Sequence, residues 1–390
     1  MNILFYRYNS ICEPDMIEAL QELGHSVDEE RSEMTNKQVS PSETIENVAK
    51  MLNQKAYDCV LSVNFYPVLA EICNIYRLRY LCWTVDSPVL ELYSDSLCHP
   101  WNRVFLFDYA QYQDFVAQNP GNIYYLPLGT NVKRWEKTLG DTANPARNLF
   151  CHDVAFVGSL YTEKNPYDEL NLPAYMKGYF DGLMAMQEQI YGEYLLEQVL
   201  SQEIVDEFYR KQLGSYRFPE KATHDERAVI AQLYLGSKIT AKERTHLLGQ
   251  LGQRHSVDLY TGSARVDIPV TWHGTVSTHR EMPFIFRNSK INLNITVRGI
   301  RTGIPLRIWD VLGCGGFMLT NYQAEIPEYF TIGEDLDVFY DANDLCEKVE
   351  YYLSHEKERK EIAQNGYEKV ANSHTYQERM KQMLEIAFGC

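Results

Sequence analysis

Short apolar runs and helical stretches take turns along almost the whole chain, and this alternation limits the fold more than any other feature of the sequence. In the first third, NILFYRY, YDCVLSVNF, RYLCWTVD, NRVFLFD and NIYYLPLG read as strands. Between them, PDMIEALQELGH, SETIENVAKMLNQ, PVLAEICNIYR and YAQYQDFVAQ read as helices, the first with Pro14 at its start and Gly24 at its end. Strand, helix and strand in succession make the βαβ unit, whose strands run parallel. Residues 1–135 are therefore expected to form one doubly wound α/β domain.

The stretch EKTLGDTANPARN (136–148) interrupts the pattern with the Gly, Pro, Asn and Asp content of a linker, so residues 136–150 are assigned to one. Alternation then resumes. HDVAFVGSLY, SVDLYTG, VTWHGTV, SKINLNITV, GGFMLTN and LDVFYD are the strands of a second α/β domain over 151–372. Within it, residues from about 165 to 250 read as a helical insert. There YFDGLMAMQEQIYGEYLLEQVLSQEIVDEFYRKQL predicts one long periodic run, with its Tyr and Leu stripe packed in a core. Two helical stretches close the chain, the last being TYQERMKQMLEIAF.

A length of 390 residues agrees with two domains. No apolar run approaches the roughly 18 residues that span a bilayer, and MNILFYRYNS has no long apolar leader segment. Nine cysteines, an odd number without a C-x-x-C pair, read as free thiols of a reducing, cytoplasmic compartment. The ten histidines form no H-x-x-x-H or H-E-x-x-H pattern, so no metal site built by the protein is expected. A formal charge of −16 without a local Lys/Arg patch argues against nucleic acid as a partner.

Chemistry concentrates where a strand meets a glycine-rich connection and then a helix: SKINLNI, TVRGIRTG, IPLRIWDVL. At about 100° per residue, Ile304, Ile308, Val311 and Leu312 share one face of that helix, while Gly303, Arg307, Asp310 and Cys314 share another. In open α/β sheets ligands bind beyond the carboxyl ends of strands, where a helix start offers free N–H groups. Gly299 and Gly303 would let a diphosphate approach the backbone, and Arg298, Arg301 and Arg307 would neutralise it. Asp310 would accept hydrogen bonds from ribose hydroxyls. The other reading is an i,i+3 ion pair between Arg307 and Asp310 on a solvated face, stabilising by a few tenths of a kcal/mol. Gly262 and Arg265 in YTGSAR are further candidates near a diphosphate.

The run from INLNI through GIPLRIWDVLGCGGFMLTNY, EIPEYF, LDVFY and DLCEKVEYYLSHEKERKEIAQNGYEKV to HTYQERM resembles the CgeB-type (spore-maturation) glycosyltransferase-like domain. WTVDSP, VFLFD and YYLPLGTNVKRW resemble the domain often found before it. The resemblance implies a GT-B architecture of two Rossmann-like domains facing a cleft. The C-terminal domain would hold the donor nucleotide, and a last helix (373–390) would cross back to the first domain. It also implies transfer of a hexosyl or deoxyhexosyl group from a nucleoside-diphosphate sugar, UDP- or dTDP-linked. The acceptor would be a protein, a glycan or a small molecule. Asp310 takes the ribose-binding place, and no metal or other cofactor is called for, since Arg side chains and a helix end replace it.

Two positions depart from the retaining GT-B pattern. Thr302 stands where those enzymes have a Glu, and Ser159 where they have an Arg. An inverting transfer is therefore expected, with one general base in the first domain. Asp86 in WTVDSP is the first candidate, against a plain turn-forming role ahead of Pro88. Glu13 and Asp15, in the loop after the first strand, come second, and for Asp15 a first-turn role at a helix is the simpler reading. The same two departures also motivate a non-catalytic nucleotide-sugar-binding protein that keeps the fold. An epimerase acting on free donors is a third reading.

Overall fold

The computed structural model describes residues 1–389; Cys390, the end of the expected last segment, lies outside them. Two parallel six-stranded sheets carry the chain. The first is built from β1 (Asn2–Tyr6), β2 (Ser26–Glu30), β3 (Cys59–Val63), β4 (Arg79–Trp83), β5 (Asn102–Leu106) and β6 (Ile123–Tyr125), in the order β2-β1-β3-β4-β5-β6. The second comprises β7 (Val154–Val157), β8 (Val257–Tyr260), β9 (Thr271–Gly274), β10 (Ile291–Asn294), β11 (Met318–Asn321) and β12 (Asp337–Phe339), in the order β12-β11-β10-β7-β8-β9. Each sheet reverses direction once, between β1 and β3 in the first and between β7 and β10 in the second. Loops diverge at such switch points and leave room for a ligand.

The sequence pattern works because the inner strands are buried on both faces: CVLSV of β3 has no exposed residue. β2, SVDEE, went unread for the converse reason. It is an edge strand, its side chains are largely polar, and Asp28 is held by Lys55 at 2.7 Å. The long helix expected through 179–213 is broken into Ala174–Gln187, Leu196–Val199 and Gln202–Lys211. The buried Gln187 side chain causes the break. Its Nε2 donates to the Ile190 and Glu193 carbonyls and its Oε1 accepts from Leu195 N–H, replacing helical hydrogen bonds across a turn at Gly192, φ +83°. The segment read as a linker begins inside helix Val132–Gly140 and continues through a short 3-10 turn, Pro145–Asn148.

The contacts divide the chain into two units. Unit one holds Met1–Asn131, Phe218–His224 and the residues from His374 onward; unit two holds Val132–Arg217 and Asp225–Ser373. In unit one, the last helix, Tyr376–Phe388, packs against helix Glu13–Glu22. Arg379 Nε donates to Leu128 O at 3.1 Å, and Thr130 N–H to His374 O at 3.1 Å. A Cβ on Gly129 would lie 2.7 Å from that His374 oxygen, so only glycine allows the approach. The short 218–224 segment is laced to the same unit by Thr223 N–H on Tyr93 O (2.7 Å) and by Phe218 against the Tyr93 ring. Among the described residues, no helix is long and apolar enough to cross a membrane.

Candidate functional site

In unit two the loops at the β7/β10 switch point are tied together by one cation. Arg244, on helix Gly236–Gly252, donates Nε and Nη2 to Ile295 O after β10, and Nη1 to Ser159 O after β7. Its guanidinium lies over the Phe156 and Tyr161 rings. Burial pushes Arg244 down to about 10, partly offset by the nearby Tyr161 and Glu243. Nothing in its position within the helical insert marked it in the sequence. The loop after β8 joins them, because Ser263 Oγ accepts from Leu160 N–H at 2.8 Å. Gly262 and Arg265 of that loop are exposed.

The connection that follows β10 leads to helix Leu306–Gly313, which starts at Pro305 without a side-chain cap. Its first N–H groups are those that an anion can engage. Gly299 and Gly303 are buried in this connection, and Gln323 Nε2 fixes it by donating to Gly303 O at 3.1 Å. Thr302 Oγ1 donates to Glu325 at 2.7 Å, while Glu325 N–H returns to Thr302 O at 3.2 Å. The loop thus gains a carboxylate from EIPEYF, 23 positions away, and sequence spacing gave no sign of it.

Three arginines were expected around this loop, and they have different surroundings. Arg298 spends its fork inside the protein: Nε and Nη2 meet both Glu243 oxygens at 2.9 and 2.8 Å, and Nη1 donates to Ile190 O at 2.8 Å. It therefore holds the loop to helix Gly236–Gly252 instead of presenting its donors to a ligand. Arg301 lies 3.7 Å from Glu197 of the insert. Arg307 is half-buried, with Nη1 at 2.7 Å from Met282 Sδ and its guanidinium over Phe286. Burial lowers its pKa, opposed by the charge of Asp310 beside it. Asp310 and Cys314 are buried on the same side, so that face of the helix is no solvated ion-pair surface. Gly315 and Gly316, which follow that helix, are structural. Gly315, φ +72°, turns the chain, and a Cβ on Gly316 would collide with Phe286 O.

Unit one has its own constellation at the β1/β3 switch point. Asn64, φ +58°, follows β3 and donates Nδ2 to Tyr8 Oη (3.1 Å) and to Asp86 Oδ2 (2.7 Å), while its Oδ1 accepts from Val85 N–H at 3.0 Å. Asp86 is exposed at the carboxyl end of β4. The Tyr8 and Tyr66 rings stand 6.2 Å apart beside it, both raised in pKa, first of all by burial. Glu13 is fully buried and takes Arg7 Nε (3.0 Å) and the N–H groups of Tyr8 (2.8 Å) and Asn9 (3.1 Å). Its oxygens thereby shape the loop after β1, which leaves it ill placed to act as a base. Asp15 receives Asn131 Nδ2 at 2.9 Å.

Residues 230–385 match a protein-family model described as glycosyl transferase-like. Among curated proteins none matches the sequence at a significant level. Solved structures do resemble it over nearly their whole length. A UDP-forming α,α-trehalose-phosphate synthase from Burkholderia xenovorans is 12% identical, with 99% of this chain and 98% of that one covered and a TM-score of 0.56. Anabaena HepE in complex with UDP-glucose is 11% identical, with coverage of 99% and 98% and a TM-score of 0.53. Sucrose-phosphate synthase from Thermosynechococcus elongatus is 13% identical, with coverage of 98% and 97% and a TM-score of 0.52. At such identities the likeness establishes the fold alone: two parallel sheets with helices, in the GT-B arrangement.

Proposed function

We propose that this chain is a glycosyltransferase that moves a sugar from a nucleoside-diphosphate sugar to an acceptor hydroxyl. One observation carries the reading: at the switch point of unit two, a glycine-bearing loop runs into an uncapped helix start with Arg307 and a buried Asp310 one turn inside. The family-model match over 230–385 covers the same elements. Asp310 binds the ribose, and the helix N–H groups with Arg307 and Arg301 stabilise the departing diphosphate without a resident metal. Gly262 and Arg265, exposed after β8, line its approach. UDP- and dTDP-sugars are the first donors to try, given the UDP-glucose held by HepE.

Asp86 is the general base of an inverting transfer, held by Asn64 at the switch point of unit one. The acceptor is a protein, a glycan or a small molecule, the setting is cytoplasmic, and the chain is a transferase of the CgeB type. A second reading, donor binding without transfer, is favoured by Ser159 and Thr302 at the two departures from the retaining pattern. Turnover of a bound donor separates the two.

The test is a thermal-shift panel of UDP-, dTDP- and GDP-sugars. A donor at about 100 times its dissociation constant should stabilise the protein by roughly 2.7 kcal/mol. Asp310→Ala should lose that shift while still unfolding in a cooperative transition without donor; an unchanged shift removes the ribose assignment.

A further inference from the structure

A second polar cluster in unit two takes no part in this reading. Val257 and Leu259 of β8 belong to the apolar core of that unit, so Asp258 and Tyr260 project from the opposite face of the sheet. His152, just before β7, and His273, on β9, converge on Asp258. His152 Nδ1 lies 3.0 Å from Asp258 Oδ2, and His273 Nε2 lies 2.6 Å from Oδ1. One ligand atom from each of the three residues falls within 4.8 Å of the others. Around a tetrahedral zinc ion, with bonds of about 2.0–2.2 Å, neighbouring donor atoms stand about 3.3 Å apart.

The surroundings are those of a fixed coordination shell. His152 Nε2 meets Tyr260 Oη at 2.7 Å, the outer contact that selects a tautomer and orients a ligating imidazole. The same tyrosine ring stacks on His273 at 4.5 Å and 14°, and Phe150 stands edge-on to it. His273 is also the extra residue of a register slip: Leu259 pairs with Trp272 and Tyr260 with Gly274. Bulges of this kind re-aim a side chain beside functional sites. The His273 side chain stays 31% exposed, which leaves the fourth direction open to solvent.

We propose that His152, Asp258 and His273 bind a zinc-class divalent cation through three protein ligands, with water or an outside ligand in the fourth place. Two nitrogens and one carboxylate oxygen suit Zn²⁺ or Co²⁺ and not Mg²⁺, which prefers an all-oxygen octahedral shell. The cation would pin edge strand β9 to β7 and β8. Asp258 pairs with Ala155 in mid-strand, whereas the donor-loop residues follow the strand ends, so the proposal stands apart from the sugar-transfer reading.

The experiment uses the full chain without a polyhistidine tag, dialysed against chelator and titrated with Zn²⁺ by calorimetry. One equivalent should bind with a dissociation constant below about 1 μM. His273→Ala, on an exposed strand, should fold and bind at least about 10-fold more weakly, and Tyr260→Phe, which removes no ligand, should weaken binding by about 10–100-fold. Co²⁺ should give a visible d–d spectrum without a near-ultraviolet thiolate band. No uptake by the wild-type chain, equal binding by His273→Ala, or a thiolate band placing the metal on cysteine would each overturn the proposal. The trio would then be a hydrogen-bonded relay alone.

Discussion

Replacing Glu243 by Gln leaves Arg298 facing a neutral amide in a largely buried site. The two side chains are only 5% and 8% exposed, and the pair is joined by two hydrogen bonds. Burial alone would lower the Arg298 pKa, and Glu243 outweighs it, so the guanidinium sits above its ordinary value and remains charged. The Tyr191 hydroxyl, which donates to Glu243, loses its charged acceptor as well. Breaking a buried pair from one side costs about 3–5 kcal/mol. For a body the size of unit two, each kcal/mol moves the midpoint by about 2–4 °C, so the transition that unfolds it should fall by roughly 6–20 °C. Scanning calorimetry of wild type and Glu243→Gln at neutral pH reads this directly. The double variant Arg298→Met/Glu243→Leu removes both charges and should recover most of the loss. It should also keep the donor-induced shift, because the Arg298 fork is turned inward. A single variant melting within about 2 °C of wild type would refute the buried-pair reasoning.

Asp86→Asn should retain the donor-induced thermal shift and lose transfer by about 10²–10⁴-fold in kcat, measured by release of nucleoside diphosphate. Transfer at an undiminished rate would remove Asp86 as the base. Gly366→Ala should cost about 1–3 kcal/mol in denaturant unfolding, because the new Cβ would strike Asp335 O and come within 2.8 Å of Leu312 Cδ2. Helix Glu356–Ser373 packs there against the helix that carries Asp310. Donor affinity should therefore fall with stability, and a variant as stable as wild type would contradict the clash.

Eleven of the twelve strands lie in runs that the sequence marks, most plainly the apolar CVLSV and RYLCW, because inner parallel strands have no solvated face. The acidic edge strand SVDEE carried no such signal. The helix around Asp310 was legible from its period, but the fate of Arg298 was not. Its partner Glu243 lies 55 positions away in the insert, and only the tertiary fold shows that a cation beside a glycine loop is already satisfied. Glu13 shows the same limit, since its role depends on three local donors that spacing does not reveal. The trio His152, Asp258 and His273 escaped motif reading because each residue belongs to a different strand region, with no helical i,i+4 repeat between them.

Helix Tyr376–Phe388 seals the first sheet, yet the ribosome makes it after every residue of unit two. The nascent N-terminal sheet must wait, with the surface of helix Glu13–Glu22 that Tyr376–Phe388 will cover still bare, until residues 376–388 have been made. A fragment cut at Asn131 would keep all six strands and still lack its final staple. Chaperone occupancy during translation should therefore persist on the first 131 residues long after their strands have emerged.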